Sequence, residues 1–308
     1  MSFDLEALRA AVAEHGAVTR VAVAGVEGSA PREPGASMLV WDGGQSGTIG
    51  GGALEFQAAR AARKGAGLRR VPLGPGLGQC CGGAVVLLAE RFTAADLDGI
   101  ADPYLRRVEG TGEVPLNIRK VLAQNRNSGE PVAPLLAGGW MVEPLSRATR
   151  RLWIYGAGHV GRALVGVLSA LPDFAITWID SAADRFPADI PQGVTQLVAA
   201  NPADAVAHAP ADAGHLVLTY SHALDLEICH RLLGRGFDFA GLIGSKTKWA
   251  RFRSRLVGLG HAPAEIGRIT CPIGNPALGK HPQAIAISVA AGLMSDDAAL
   301  ERRWGDIA

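Results

Sequence analysis

Arg151-Leu-Trp-Ile-Tyr-Gly-Ala-Gly-His-Val-Gly161 decides the fold. An apolar strand over 151–156 runs directly into Gly156-x-Gly158-x-x-Gly161, and a helix over 159–170 opens inside the motif. Glycines at this spacing permit a tight turn, close approach of a pyrophosphate to the backbone, and close packing of helix on strand. A second strand, Ala175-Ile-Thr-Trp-Ile-Asp180, ends on an aspartate placed to accept from a ribose hydroxyl. The glycine motif alone is weak. Strand, helix, second strand and terminal acid in this order specify a Rossmann-like half. His159, inside the motif, either faces a ligand or caps the start of the helix.

Downstream, strand and helix alternate. Strands at 194–198, 215–219 and 238–243 interleave with helices at 202–209, 224–234 and 246–259, a pattern for a parallel sheet with crossover helices. Open sheets of this kind place ligands at the carboxyl ends of their strands. Two segments fall there. In Thr219-Tyr-Ser-His222, His222 is a general acid or base, a donor to an anionic group, or the polar start of the next helix. Ser221, His222 and Asp225 are too close in sequence to form a hydrolase triad, whose members converge from separate elements. In Gly241-Leu-Ile-Gly-Ser-Lys246, Ser245 and Lys246 either form an anion site at a helix N-terminus or are a turn and a solvated lysine. An alanine-rich helix over 281–295 closes the chain and is expected to pack back on the first domain.

Upstream of a boundary near 148 the pattern differs. A helix over 4–15 precedes short strands at 19–25 and 36–41, separated by the loop Glu27-Gly-Ser-Ala-Pro-Arg-Glu-Pro-Gly35. Gly47-Thr-Ile-Gly50-Gly51-Gly52-Ala-Leu-Glu55 opens a helix reaching about Lys64. A second glycine-rich loop, Gly74-Pro-Gly-Leu-Gly-Gln79-Cys80-Cys81-Gly-Gly83, leads into a buried strand at 84–89. The region 93–150 holds a helical piece, a polar turn at 125–131 and Gly138-Gly-Trp-Met-Val-Glu-Pro144. The fold class is therefore α/β, a C-terminal Rossmann-like parallel sheet domain plus an N-terminal mixed α/β domain. The domains are 1–148, 149–270, and a C-terminal helical segment 271–308 packing on the body.

Composition narrows the function. The chain has 308 residues, 48% of them hydrophobic, and a formal net charge of +1. That balance gives no electrostatic footprint for nucleic acid or an anionic membrane. No apolar run approaches a membrane span and the N-terminus lacks signal-peptide character, so a cytoplasmic protein is expected. Four cysteines make no disulfide framework for a chain of this size. Cys80 and Cys81, flanked by glycines, are either accessible thiolates suited to a soft metal or to sulfur chemistry, or buried thiols at a strand start. Cys229 reads as core, and Cys271 fits either role. No spaced Cys pairs, HExxH or carboxylate cluster is present, which argues against structural zinc and metallohydrolase sites.

Taken in order, Ser29-Ala-Pro-Arg-Glu-Pro-Gly35, Gly47 to Gly52 with Glu55, Gln79-Cys-Cys-Gly-Gly83, Gly138 to Leu145, Gly156 to Gly161, Ser221-His-Ala-Leu-Asp225, Gly241 to Lys246 and Cys271-Pro-Ile-Gly274 resemble the XdhC/CoxI family of xanthine dehydrogenase accessory proteins. The resemblance spans nearly the whole chain. It implies a chaperone that is not itself an enzyme. Such a protein binds the molybdenum cofactor in its molybdopterin form, holds it while a cysteine desulfurase replaces an oxo ligand by sulfur, and delivers it to xanthine dehydrogenase. A cofactor donor is a further implied partner, and a homodimer closing the crevice by symmetry is a further expectation.

On that resemblance Cys81 matches the family's Cys-Gly-Gly position and would ligate molybdenum, with Cys80 beside it. Gly50, Gly51, Gly52 and Gln79 in one domain, and Gly156, Gly158, His159, Gly161, Asp180, His222, Ser245 and Lys246 in the other, would hold the pterin and its phosphate. Ala53 departs from the family pattern, which has a cysteine after the triple glycine. Two other readings use the same residues: an NAD(P)-dependent oxidoreductase with His222 as proton donor, and a sulfurtransferase carrying a persulfide on Cys81.

Overall fold

The computed structural model describes residues 2–74, 82–146, 148 and 150–295. The chain divides into two compact units, Met1–Ser146 and Arg147–Ala308. In the first unit, helix α1 (Leu5–His15) begins where the Asp4 carboxylate accepts from the Ala7 amide at 2.9 Å, and it stops at Gly16. It is followed by β1 (Ala17–Glu27), β2 (Ser37–Trp41) and β3 (Gly44–Gly47). Then come α2 (Gly52–Ala62), β4 (Gly67–Pro72) and β5 (Ala84–Thr93). These strands form one antiparallel sheet in the order β3-β2-β1-β5-β4.

The buried residues of β1, β2 and β5 pack with Leu54, Ala58, Ala59 and Ala62 of α2 into one core. On the other side Leu5, Leu8 and Val12 of α1 meet Phe3, Val18 and Phe92 in another. The sequence pattern finds α1, β1, β2 and the start of β5. It does not reveal β3 and β4, which are edge strands rich in glycine and exposed polar residues and so lack an apolar alternation.

The stretch read as a helical piece and two turns is more ordered than its composition suggests. It contains α3 (Ala94–Leu97), β6 (Tyr104–Arg107), α4 (Leu116–Ser128), β7 (Leu135–Ala137) and β8 (Trp140–Glu143). Gly138 and Gly139 turn β7 into β8, and β6-β8-β7 form a small antiparallel sheet.

The second unit is a six-stranded, wholly parallel sheet. Its elements are β9 (Arg150–Tyr155), α5 (His159–Leu168), β10 (Phe174–Asp180), β11 (Val194–Val198), β12 (Gly214–Val217), α6 (His222–Arg235), β13 (Phe239–Leu242), α7 (Lys246–Gly258), α8 (Pro263–Ile266), β14 (Ile269–Thr270) and α9 (Pro282–Met294). The strand order β11-β10-β9-β12-β13-β14 is that of a dinucleotide-type doubly wound sheet. Its winding reverses between β9 and β12, and the crevice at that switch point is where such folds bind ligands.

The structure adds α8 and β14, which the sequence reading lacks, and two further segments differ from it. The segment read as a helix over 202–209 is a 3₁₀ helix, Pro202–His208, started by Pro202 and the Asn201 cap. The C-terminal helix α9 packs on α5 inside the second unit, where Ala286, Val289, Ala290 and Leu293 join Leu164, Val165 and Leu168 in one core. Burying each such leucine stabilises the unit by about 1.5–3 kcal/mol, which makes α9 part of the Rossmann-like body rather than a strap returning to the first domain.

Candidate functional site

The glycine turn of the second unit is built by contact. Gly156 has φ 120°, and a Cβ there would lie 2.4 Å from the Leu218 carbonyl oxygen. A Cβ on Gly161 would lie 2.0 Å from the Gly156 carbonyl oxygen. These two glycines let the turn press on the end of β12 and let α5 press on the turn. Gly158 differs, because a Cβ there meets nothing within 4 Å. It is the N-cap of α5, has no side-chain cap bond, and is exposed. His159 is the exposed first residue of the helix and not its cap, so an open helix N-terminus faces outward here, the arrangement that receives anions.

Asp180 is committed elsewhere. It is 2% exposed; one carboxylate oxygen accepts from the Ala157 amide at 2.6 Å, and the other from the Ser181 amide at 2.6 Å. The Arg185 guanidinium lies 2.6 Å from that second oxygen. Burial pushes this carboxyl up, but the two amides and Arg185 outweigh it and hold the group below its ordinary range. Asp180, expected to accept from a ribose, thus ties the glycine turn to β10 through bonds that already occupy both of its oxygens. Trp178 does the same through its indole N–H, which donates to the Gly156 carbonyl at 3.0 Å.

Arg185 and Tyr220 were not legible in advance. Arg185 lies 4.4 Å above the Tyr220 ring, and that ring, just past β12, is 67% exposed. Together they span from the β10 side to the β12 side of the switch point.

The loop after β12 is held from below. Asp225 on α6, 1% exposed, accepts from the Thr219 amide at 3.0 Å and the Thr219 hydroxyl at 2.7 Å. Lys248 of α7 donates to the same carboxylate at 2.6 Å and to the Ile243 carbonyl at 2.9 Å. Lys248 lies only two residues beyond the motif that ends at Lys246; its spacing of three from the capping Ser245 was the available signal. Ser221 caps α6, and His222 is the exposed first residue of that helix. Ser245 caps α7 by accepting from the Lys248 amide at 3.1 Å, and Lys246 is exposed. Cys229 and Cys271 are both buried in the core beside this network. Burial pushes the Cys271 thiol up to about 12 and the Cys229 thiol also upward, so neither is a ready thiolate near neutral pH.

In the first unit, three motifs distant in sequence converge. A Cβ on Gly83 would lie 2.2 Å from the Glu27 carbonyl and 2.5 Å from that of Ser29, and one on Gly50 would lie 2.6 Å from Pro31. The loops 27–35, 47–52 and 82–83 therefore pack at one end of the β1-β5 pair. Glu55 clasps the middle one: its carboxylate accepts from Thr48 Oγ1 at 2.6 Å, the Gly51 amide at 3.0 Å and the Ile49 amide at 3.2 Å. The Gly50 amide donates to Thr48 Oγ1 at 3.1 Å. The Gly50 and Gly51 amides, expected to face a phosphate, are thus bound by the chain's own side chains. Gly51 and Gly52 have room above them.

Residues 152–293 match the model of the XdhC Rossmann domain, and residues 11–70 match that of the XdhC and CoxI family. The chain belongs to the XdhC and CoxI family. Over 145 residues this XdhC-type chain is 32% identical to the uncharacterized protein YqeB of Escherichia coli K12, covering 47% of the chain and 27% of YqeB. The chain thus spans about a quarter of that relative's length. A solved structure from Bacillus halodurans, described as a xanthine dehydrogenase, is 22% identical, with a TM-score of 0.67 over 98% of this chain and 96% of that one. That likeness establishes the shared fold across both units.

Of the XdhC-type motifs, Gln79, Cys80 and Cys81 lie outside the described residues. Gly82 and Gly83, which follow them, are in the convergent loops. Among the described residues no group of three or more His, Cys, Asp or Glu side chains is arranged to hold a metal ion, and no helix is long and apolar enough to cross a membrane.

Proposed function

We propose that this protein is a maturation chaperone that carries the molybdenum cofactor as cargo, shields it while sulfur replaces an oxo ligand, and delivers it to xanthine dehydrogenase. The observation that carries the reading is the match of both units to the XdhC family, with three of the family's motifs packed together around Gly83 in the first unit. Cys81, two residues before Gly83, is the proposed molybdenum ligand, a soft thiolate for a soft metal site. The desulfurase and the cofactor donor are partners such a role requires.

The commitments of Asp180 weigh against an oxidoreductase, because a nicotinamide nucleotide would lose the usual ribose acceptor. His222, exposed at the first position of α6, is assigned to ligand contact.

Anaerobic loading of the wild type, Cys80→Ala and Cys81→Ala with molybdenum cofactor tests the ligand. The expected result is molybdenum lost from Cys81→Ala at least tenfold faster than from the wild type, with Cys80→Ala close to the wild type. Equal retention by all three removes Cys81 as the ligand. A mass increase of one sulfur atom on Cys81 after treatment with a desulfurase would instead assign it a persulfide-carrying role.

A further inference from the structure

We propose that the cleft at the carboxyl ends of β13 and β14 is the subsite for the flat heterocyclic end of the cargo, a fused bicyclic ring carrying a phosphate. The inference deepens the carrier reading, on which the choice of a pterin-type ring rests.

The cleft has a volume of about 480 Å³, within the ordinary range for small-molecule sites. Its walls are apolar and branched, from Ile243 at the end of β13, Ile273 and Pro272 after β14, and Ile285 in the first turn of α9. Such walls suit the two faces of a planar ring. Gly244, Gly274 and Gly279 line the same cleft, and above Gly279 no atom lies within 4 Å of where a Cβ would stand, so its backbone is open there.

Charge selects an anionic occupant. Lys246 and Lys280 both line the cleft, both are exposed, and neither pairs with an acid among the described residues. Ser245 caps only the Lys248 amide, so the first amides of the 13-residue helix α7 add to the same positive field. An apolar cleft with two lysines at its mouth is complementary to a ring that bears a phosphate, and poorly complementary to a neutral or cationic ring.

The walls are fixed before any ligand arrives. The Ile273 amide donates to the Leu242 carbonyl at 3.2 Å, and Ile273 packs so closely on Gly241 that a Cβ there would lie 2.3 Å from its Cδ1. The Asn275 amide donates to the buried Ser288 hydroxyl of α9, while its side chain accepts from the Ala277 amide at 2.9 Å. Preformed walls spare a ligand the cost of ordering them. The cleft lies on the same sheet edge as the glycine turn but two to three strands across, roughly 10–14 Å away at about 4.8 Å per strand. Substitutions in one place therefore leave the other intact.

Calorimetric titration with GMP, guanosine and inorganic phosphate tests the subsite, using the full chain, a Lys246→Ala/Lys280→Ala double variant and Gly158→Asp. Saturable GMP binding is expected, with guanosine at least tenfold weaker and that advantage abolished by the lysine variant. Gly158→Asp, which places a negative charge at the glycine turn, is expected to bind GMP as the wild type does. The inference is overturned if no titrant binds at millimolar concentration, if the lysine variant binds GMP normally, or if Gly158→Asp alone abolishes binding.

Cofactor loading separates this inference from the one it rests on. Pterin retained by the wild type and released by the lysine variant supports both. Equal retention by the two overturns the cleft and leaves the carrier reading standing. No retention by the wild type removes the carrier reading, and the GMP titration alone then decides the cleft.

Discussion

Replacing Glu143 by alanine is expected to destabilise the first unit by about 3–5 kcal/mol, the cost of stranding a buried charge. Glu143, at the end of β8, is 0% exposed and grips Arg20 of β1 through both oxygens, at 2.8 and 3.0 Å. Arg20 is itself 1% exposed, with its guanidinium 4.3 Å over the Phe3 ring. Arg106 of β6 reaches the same carboxylate at 2.6 Å and also holds Glu90 of β5 at 2.5 Å. One carboxylate therefore ties the small sheet to the large one, and its loss strands the buried Arg20 without its charged partner, while Arg106 keeps Glu90.

Burial raises the Glu143 pKa, but Arg20 and Arg106 outweigh it and hold the group below its ordinary 4.5. A folded pKa below the unfolded one means that the ion pair contributes fully above about pH 4.5, and that its contribution is lost as pH falls through the folded value. Urea titrations should show Glu143→Ala weakened near neutrality, with a shallower loss of stability on acidification than the wild type. A neutral-pH change under about 1 kcal/mol, the scale of a solvated surface pair, would show that these charges are not sealed off.

Gly161→Ala is the second large effect, expected at or above about 3 kcal/mol, the upper end of overpacking costs. The obstacle is the Gly156 carbonyl oxygen, 2.0 Å from the new Cβ. It is a backbone atom, so no side-chain rotation relieves the clash. The Trp178 indole already fixes that carbonyl from the other side. Either α5 moves off the sheet or the turn opens, and both expose the core that α5 shares with α9. Hydrogen exchange should show lost protection in α5, β9 and α9. Gly158→Ala is the control, since its Cβ meets nothing. Equal behaviour of the two variants would mean that the motif's glycines serve ligand approach alone.

Periodicity carries the second unit because its central strands are buried on both faces and regularly separated by helices. Runs such as Leu152 to Tyr155 and Ile176 to Asp180 can therefore be read without tertiary information. The edge strands Gly44–Gly47 and Gly67–Pro72 cannot, since their order comes from pairing with β2 and β5 and not from an apolar face.

At the sites, the sequence locates the loops but not their internal bonds. Asp180 stands where a ribose acceptor would, yet its oxygens go to Ala157, Ser181 and Arg185. Glu55 similarly takes the amides of its own glycine loop. Glycine spacing shows where the backbone is bare and not which side chain has already reached it. Lys280 and Tyr220 lacked any pattern, since only the fold brings one to the β14 cleft and the other under Arg185.

The central claim is that the chain is a cofactor carrier, and the direct measurement is anaerobic incubation with molybdenum cofactor, separation by size, and assay of bound molybdenum and pterin. Stoichiometric retention of both, with the loaded protein activating cofactor-free xanthine dehydrogenase, is the predicted result. Pterin retention no greater than by an unrelated protein, together with unchanged dehydrogenase activity in cells lacking the chain, would contradict the account.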